Sequence, residues 1–188
     1  MKNQIKFLLP ACFMLCMMFY SNAVQAQNPK MDKDKDKMKM DHSMSDMPYM
    51  ATYSSKFAMG DPAHSKLILD IWKDWDDNMV DRHASMFADT VTMIFPSGDM
   101  VKGKEKAMAM AKDQRAGMGS AKSTVHAFMS LKSLDMNENW VAVWGEEEDT
   151  DKDGKKTTTA LHEIWKLNKD GKVAFMHQFS GKVPQGQQ

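Results

Sequence analysis

Four runs rich in Val, Thr, Trp and Phe fill the second half of the chain, at about residues 122–134, 139–149, 156–168 and 172–180. Between them stand the turn-forming stretches Asp135-Met136-Asn137-Glu138-Asn139, Asp153-Gly154 and Asp170-Gly171. Segments joined this tightly can pair only with their chain neighbours and only antiparallel, because parallel pairing needs a crossover of a dozen or more residues. A three-hairpin meander is therefore expected, and the rest of the chain has to pack on it.

Upstream, Asp61-Pro62 signals a helix start, with Asp as N-cap and Pro at the first helical position. Leu67, Ile71, Trp75 and Met79 then recur every four residues beside Ile68 and Trp72, while Lys66, Asp70, Lys73, Asp74 and Asp77 take the other side. One apolar stripe on an otherwise charged helix is a surface for burial against a sheet. A second short helix is expected from Asp81 to about Phe87. A strand follows over Thr90–Phe95, closed by Pro96-Ser97-Gly98-Asp99, and a third helix runs from Lys104 to about Arg115, ended by Gly117 and Gly119. The fold class is α+β, with helices packed on a single antiparallel sheet.

The first 26 residues carry Lys2 and Lys6, an apolar run from Phe7 to Tyr20, and small residues at Ala23-Val24-Gln25-Ala26. That pattern is a secretory signal peptide cleaved after Ala26, its apolar run being shorter than the roughly 20 residues of a spanning helix. An exported, periplasmic or secreted protein is expected, with no membrane attachment after cleavage. Both cysteines, Cys12 and Cys16, fall in the leader, so disulfides and thiolate chemistry are excluded from the mature chain. Lys plus Arg and Asp plus Glu number 25 each, and without the leader the balance is −2. No basic block offers the field that nucleic acid requires, and no nucleic-acid partner is expected.

Residues 27–55 read as a linker. Six of the 24 residues from Gln27 to Met50 are Met, and five Lys alternate with five Asp. With no aliphatic residue between Lys30 and Met50, nothing offsets the entropy of ordering, so disorder is expected. Thioethers suit Cu(I), so His42 with Met38, Met40, Met44 and Met47 is a candidate copper or silver site in the exported chain. A solvated tether is the plainer alternative. Residues 56–188 make up the globular domain.

The string from Phe87-Ala88-Asp89 through Phe95-Pro96-Ser97-Gly98 to Gly103-Lys104-Glu105, and later Trp165-Lys166-Leu167-Asn168-Lys169-Asp170-Gly171-Lys172-Val173, resembles the SnoaL-like branch of the nuclear transport factor 2-like superfamily. The resemblance covers about residues 61–182. It implies a strongly curved sheet closed by helices into a cone with an internal pocket, and a homodimer. It also implies a function within a range that runs from isomerases, polyketide cyclases and dehydratases to non-catalytic binding domains. No cofactor is implied.

If both Asp-Gly pairs are two-residue turns, Trp144 faces Glu163 and Glu163 faces Gln178. One sheet face then gathers Trp144, Glu146, Leu161, Glu163, Trp165, Met176 and Gln178. That face, with Phe95 and Trp75 of the first helix, is the candidate ligand site: large apolar walls with a few converging polar groups. A one-residue slip would exchange the faces and bring His162 and His177 to the pocket instead. By the resemblance, pocket positions on the last two strands match Leu161, Glu163 and Gln178. A cyclase-like acid/base Asp would fall at Gln178, an amide that cannot titrate usefully. Glu163, walled by tryptophans, is the candidate general base, with Gln178 orienting. The leading expectation is a binding site for a small apolar, ring-containing molecule. The alternatives are an isomerase, cyclase or dehydratase using Glu163, and Cu(I)/Ag(I) binding by the tail. Asp149-Thr150-Asp151-Lys152-Asp153-Gly154 copies half a calcium loop but has Ala160 where a bidentate Glu is needed, and is read as a polar hairpin.

Overall fold

A computed structural model describes residues 47–183. The leader and most of the tail, including Met38, Met40, His42 and Met44, lie outside the described residues; Met47 lies inside them and is exposed. The order of elements is β1 (Phe57–Met59), α1 (Pro62–Asp76), β2 (Phe87–Ile94), β3 (Met100–Lys102), α2 (Lys104–Gly117), β4 (Ser120–Ser133), β5 (Asn139–Thr150), β6 (Lys156–Leu167) and β7 (Val173–Lys182). The strands form one sheet in the order β1-β4-β5-β6-β7-β2-β3. The expected meander is β4 to β7. The sheet is not wholly antiparallel, because β2 joins β7 in parallel at the far edge. That pairing needs a long crossover, and everything between β2 and β7 supplies it. Among the described residues, no helix is long and apolar enough to cross a membrane.

Helix α1 begins as its sequence dictates, with Asp61 Oδ1 accepting from the Ala63 N–H at 2.8 Å and Pro62 in the first turn. Its stripe buries Ile68 (fully) and Trp72 against β4 and β5. These join Val141, Val143, Trp165, Leu167, Phe87, Val91 and Val173 in the core. Arg115, buried near the end of α2, donates Nε to the Trp75 carbonyl at 2.8 Å and Nη2 to that of Asp76 at 3.2 Å. It thereby adds a donor to two carbonyls at the end of α1 and meets the negative pole of that helix with a cation. The second helix expected at 81–87 does not form. Asn78 turns the chain with φ 56°, and only a 3-10 turn at Ala84–Met86 precedes β2, whose first residues, Phe87 and Ala88, are already buried in the sheet.

Pairing across β5 and β6 departs from the two-residue turn. Residues 151–155 form a longer loop, in which Asp151 Oδ1 accepts from the Asp153 and Lys155 N–H groups, each at 2.9 Å, and Gly154 takes φ 84°. Val143, not Trp144, therefore lies opposite Glu163, and Trp144 lies opposite His162. The Asn168–Lys172 loop is built alike, Asn168 Oδ1 accepting from the Asp170 and Lys172 N–H groups. There a bulge shifts the register between Lys166 and Leu167 and restores the expected partners Glu163 and Gln178.

Candidate functional site

The helix-facing side of the sheet, α1, α2 and the loop after β2 enclose a cavity of about 550 Å³. Exposure along β6 gives its depth. Leu167, Trp165 and Glu163 are buried, Leu161 and Thr159 are half-buried or more open, and Thr157 is exposed. The narrow end of the cone is therefore near Leu167 and the mouth near Thr159. Trp75, Phe95, Leu161, Trp165 and Met176 line the cavity together with Glu163 and Gln178. Trp144 and Glu146, expected beside them, are on the opposite face, because the five-residue loop moves β5 by one residue relative to the two-residue turn. The face thus presents Val143, Gly145, Glu147 and Asp149 instead. His162 and His177 also lie on that outer face. The His162 ring stacks on Trp144 at 4.7 Å between centroids, and His177 packs against Phe179 at 4.1 Å.

Glu163 is 5 % exposed. Its Oε2 accepts from the indole N–H of Trp72 at 2.5 Å and from that of Trp165 at 2.9 Å, and Oε1 accepts from the Gln178 amide at 2.7 Å. Burial pushes its pKa up, while the three N–H groups favour the carboxylate and oppose the shift. A carboxylate oxygen has two lone pairs, so Oε1 keeps one beyond its bond to Gln178, and Glu163 is among the residues that line the cavity. Gly145 makes this possible, since a Cβ there would stand 3.0 Å from the Trp72 ring.

Two further groups in the wall were not foreseen. Glu147 and Asp149, two residues apart on one face of β5, both line the cavity nearer the mouth. Burial, then the adjacent Asp149 carboxylate, push Glu147 up to about 8, with the Trp75 indole N–H partly opposing. The second group starts from Asp74, on the last turn of α1 and 2 % exposed. Its Oδ2 lies 2.5 Å from His83 Nδ1 and its Oδ1 lies 3.0 Å from Arg82 Nη1. The turn at Asn78 brings residues 82 and 83 back onto the helix end, with the Met79 N–H bonded to the Asp74 carbonyl at 2.7 Å. Asp74, which the sequence pattern groups with the charged side of α1, is instead buried between Ile71 and Trp75 because Arg82 and His83 fold back over it; Glu147 faces the cavity because the 151–155 loop shifts β5 by one residue.

Among the described residues, no group of three or more His, Cys, Asp or Glu side chains is arranged to hold a metal ion. The Asp149–Gly154 stretch is the end of β5 and a hairpin loop.

Compared with protein families, residues 70–176, more than half of the chain, match the model of the SnoaL-like domain. No curated protein matches in sequence. Similar solved structures include an NTF2-like protein of unknown function from Exiguobacterium sp. 255-15, at 16 % identity and TM-score 0.53 over 62 % of this chain and 99 % of that one. An LEH-like epoxide hydrolase of M. tuberculosis gives 6 % identity and TM-score 0.54 over 64 % and 84 %. The epoxide hydrolase/cyclase-like enzyme SalBIII, described in pyran ring formation in the polyether salinomycin, gives 15 % and 0.53 over 64 % and 92 %. At these identities the likeness is one of fold.

Proposed function

Because the chain belongs to the SnoaL-like domain family, we propose that its cavity binds a small, apolar, ring-containing molecule whose hydroxyl or enol donates to Glu163 Oε1. The observation that carries this is a buried acceptor, fixed by three N–H donors and set beside Trp72, Trp165, Leu161 and Met176, in a cavity of about 550 Å³. Volumes of about 300–1,000 Å³ with a few placed polar groups suit a drug-sized ligand. Titration with 2-naphthol, read by quenching of the tryptophans that line the cavity, tests it. Saturable quenching is expected, weakened at least tenfold by Glu163→Gln, which removes the carboxylate. Equal affinity in the variant would show that Glu163 is no anchor.

A second role, isomerase-, cyclase- or dehydratase-type catalysis with Glu163 as general base and Gln178 orienting it, is favoured by the burial that raises the Glu163 pKa. If it holds, Glu163→Gln abolishes turnover of any substrate found, and an unchanged rate removes it. We propose too that the protein is exported and cleaved after Ala26; the mass of protein recovered outside the cytoplasm, beginning at Gln27, is the check. For the tail, Cu(I) titration under reducing conditions of chains with and without residues 27–55 tests binding by Met38, Met40, His42, Met44 and Met47, and equal weak binding would dismiss it. A homodimer is proposed through the outer sheet face, where Met129 and Phe179 are 36 % and 44 % exposed; a monomeric mass in sedimentation would refute it.

A further inference from the structure

The cavity wall carries negative charge that nothing in the wall answers. Four carboxylates line it, those of Asp74, Glu147, Asp149 and Glu163, and no Lys or Arg stands among its lining residues. Two of the four have their partners. Asp74 is ion-paired to Arg82 and bonded to His83, the one basic side chain of the wall, and Glu163 is held by three N–H donors. The buried guanidinium of Arg115 is taken up by the Trp75 and Asp76 carbonyls. Glu147 and Asp149, side by side on one face of β5, form no ion pair among the described residues, and the charged group that α1 turns toward Glu147 is another acid, Asp76. Asp149 Oδ1 is closed off from solvent and has no hydrogen-bond partner. A carboxylate oxygen shut away from water is costly unless a donor or a cation meets it. The upward push on the Glu147 pKa has the direction expected of a negative site that lacks its counter-charge.

Resting on the binding role above, we propose that the ligand is itself the missing cation: a ring whose hydroxyl sits on Glu163 and whose alkylammonium arm ends between Glu147 and Asp149. An ammonium brings three N–H donors to two carboxylates that have none, and its hydrocarbon arm lies against the aromatic wall that Trp75 and Phe95 supply. A bare metal ion fits less well, since among the described residues no three His, Cys, Asp or Glu side chains are grouped to hold one. The spacing sets the length of the arm. Glu163 pairs with Val143, so Glu147 stands four residues nearer the mouth along β5, about 13 Å at 3.3 Å per residue. A phenol with an aminoethyl arm, making one hydrogen bond of about 2.8 Å at each end, covers that span. The two ends of the cavity then have separate tasks: Glu163 selects a hydroxyl, and the Glu147–Asp149 pair rejects neutral and anionic arms.

The test compares tyramine with 4-propylphenol, which has the same ring and hydroxyl and a methyl group in place of the ammonium. Isothermal titration calorimetry at pH 8 gives both affinities. Wild-type protein should prefer tyramine by at least about tenfold, the size expected of hydrogen bonds to charged groups. That ratio should fall to about one in Asp149→Asn and in Glu147→Gln, whereas Glu163→Gln should weaken both ligands and keep the ratio. Equal affinities in wild type, which need no variant to measure, overturn this inference. So does a preference for tyramine that persists in both Asp149→Asn and Glu147→Gln. Either result spares the binding role as long as 4-propylphenol binds and Glu163→Gln weakens it. No binding of either ligand overturns both.

Discussion

Replacing Gly145 with Ala probes how the anchor is held. A Cβ at this position would lie 2.5 Å from the Thr124 carbonyl oxygen and 3.0 and 3.2 Å from two carbons of the Trp72 ring. The carbonyl belongs to the ladder that pairs Thr124 with Glu146, one residue before the β4 bulge, so it has little freedom to retreat. The indole must give, and its N–H is the donor 2.5 Å from Glu163 Oε2. Overpacking of this kind costs about 1–3 kcal/mol. A weakened hydrogen bond to a buried carboxylate adds about 1.5–3 kcal/mol. Together these give about 2.5–6 kcal/mol, which for a domain of this size lowers the thermal midpoint by roughly 8–25 °C. Calorimetry or circular dichroism on Gly145→Ala measures it, with Gly117→Ala as the control. Gly117 ends α2 with nothing within 4 Å of the place an alanine methyl would take, so alanine there should stabilise by about 0.4–1 kcal/mol. A midpoint shift under about 3 °C in Gly145→Ala would refute the claim that this glycine seats Trp72.

Three other outcomes follow from the electrostatics and the tethers. The folded pKa of Glu147 is raised from 4.5 to about 8, so its protonation stabilises the fold below the unfolded value, and that contribution is lost as pH climbs toward and through 8. The thermal midpoint of wild type should therefore fall between about pH 5 and pH 9 more steeply than that of Glu147→Gln, and parallel curves would contradict the shift. Glu163 is displaced in the same direction by burial, so Glu163→Gln should likewise flatten the profile in its own window above the ordinary carboxylate value. Asp135, held well below the carboxylate range by Ser54, the Ser55 N–H and Ser133, ties the residues before β1 to the β4–β5 turn. Asp135→Ala should speed amide exchange at Ser55 and Phe57 while leaving the exchange of Val143 unchanged.

Patterns that depend on neighbours in the chain were legible in the sequence. The Asp61 cap, the Ile68 and Trp72 stripe, the bounds of α2 and the four long strands all rest on local periodicity and turn chemistry. The three-residue strands β1 and β3 carry too few residues for any period to show, and the parallel β2–β7 pair is a property of the closed sheet alone. At the site, Glu163 and Gln178 were found together because a bulge compensates their loop, whereas Trp144 and Glu146 were misplaced because nothing compensates the Asp151–Lys155 loop. The run Glu146-Glu147-Glu148-Asp149 offers acids to both faces, so composition could not say which enter. The Asp74–His83 pair depends on Asn78 taking a left-handed conformation, which residue pattern does not announce.

The bulge at the start of β7 lets that strand carry one residue more than the cavity wall needs. Ala174 is the surplus residue: Val173 pairs with Leu167 and Phe175 with Lys166. Removing Ala174 while leaving the loop intact would put Phe175 directly after Val173 in regular alternation, so Met176 would stay opposite Trp165 and Gln178 opposite Glu163, both on the cavity face. A single-codon deletion at this point is thus absorbed without altering the lining, whereas deleting His177 would turn Gln178 outward and bring Phe179 in beside Glu163.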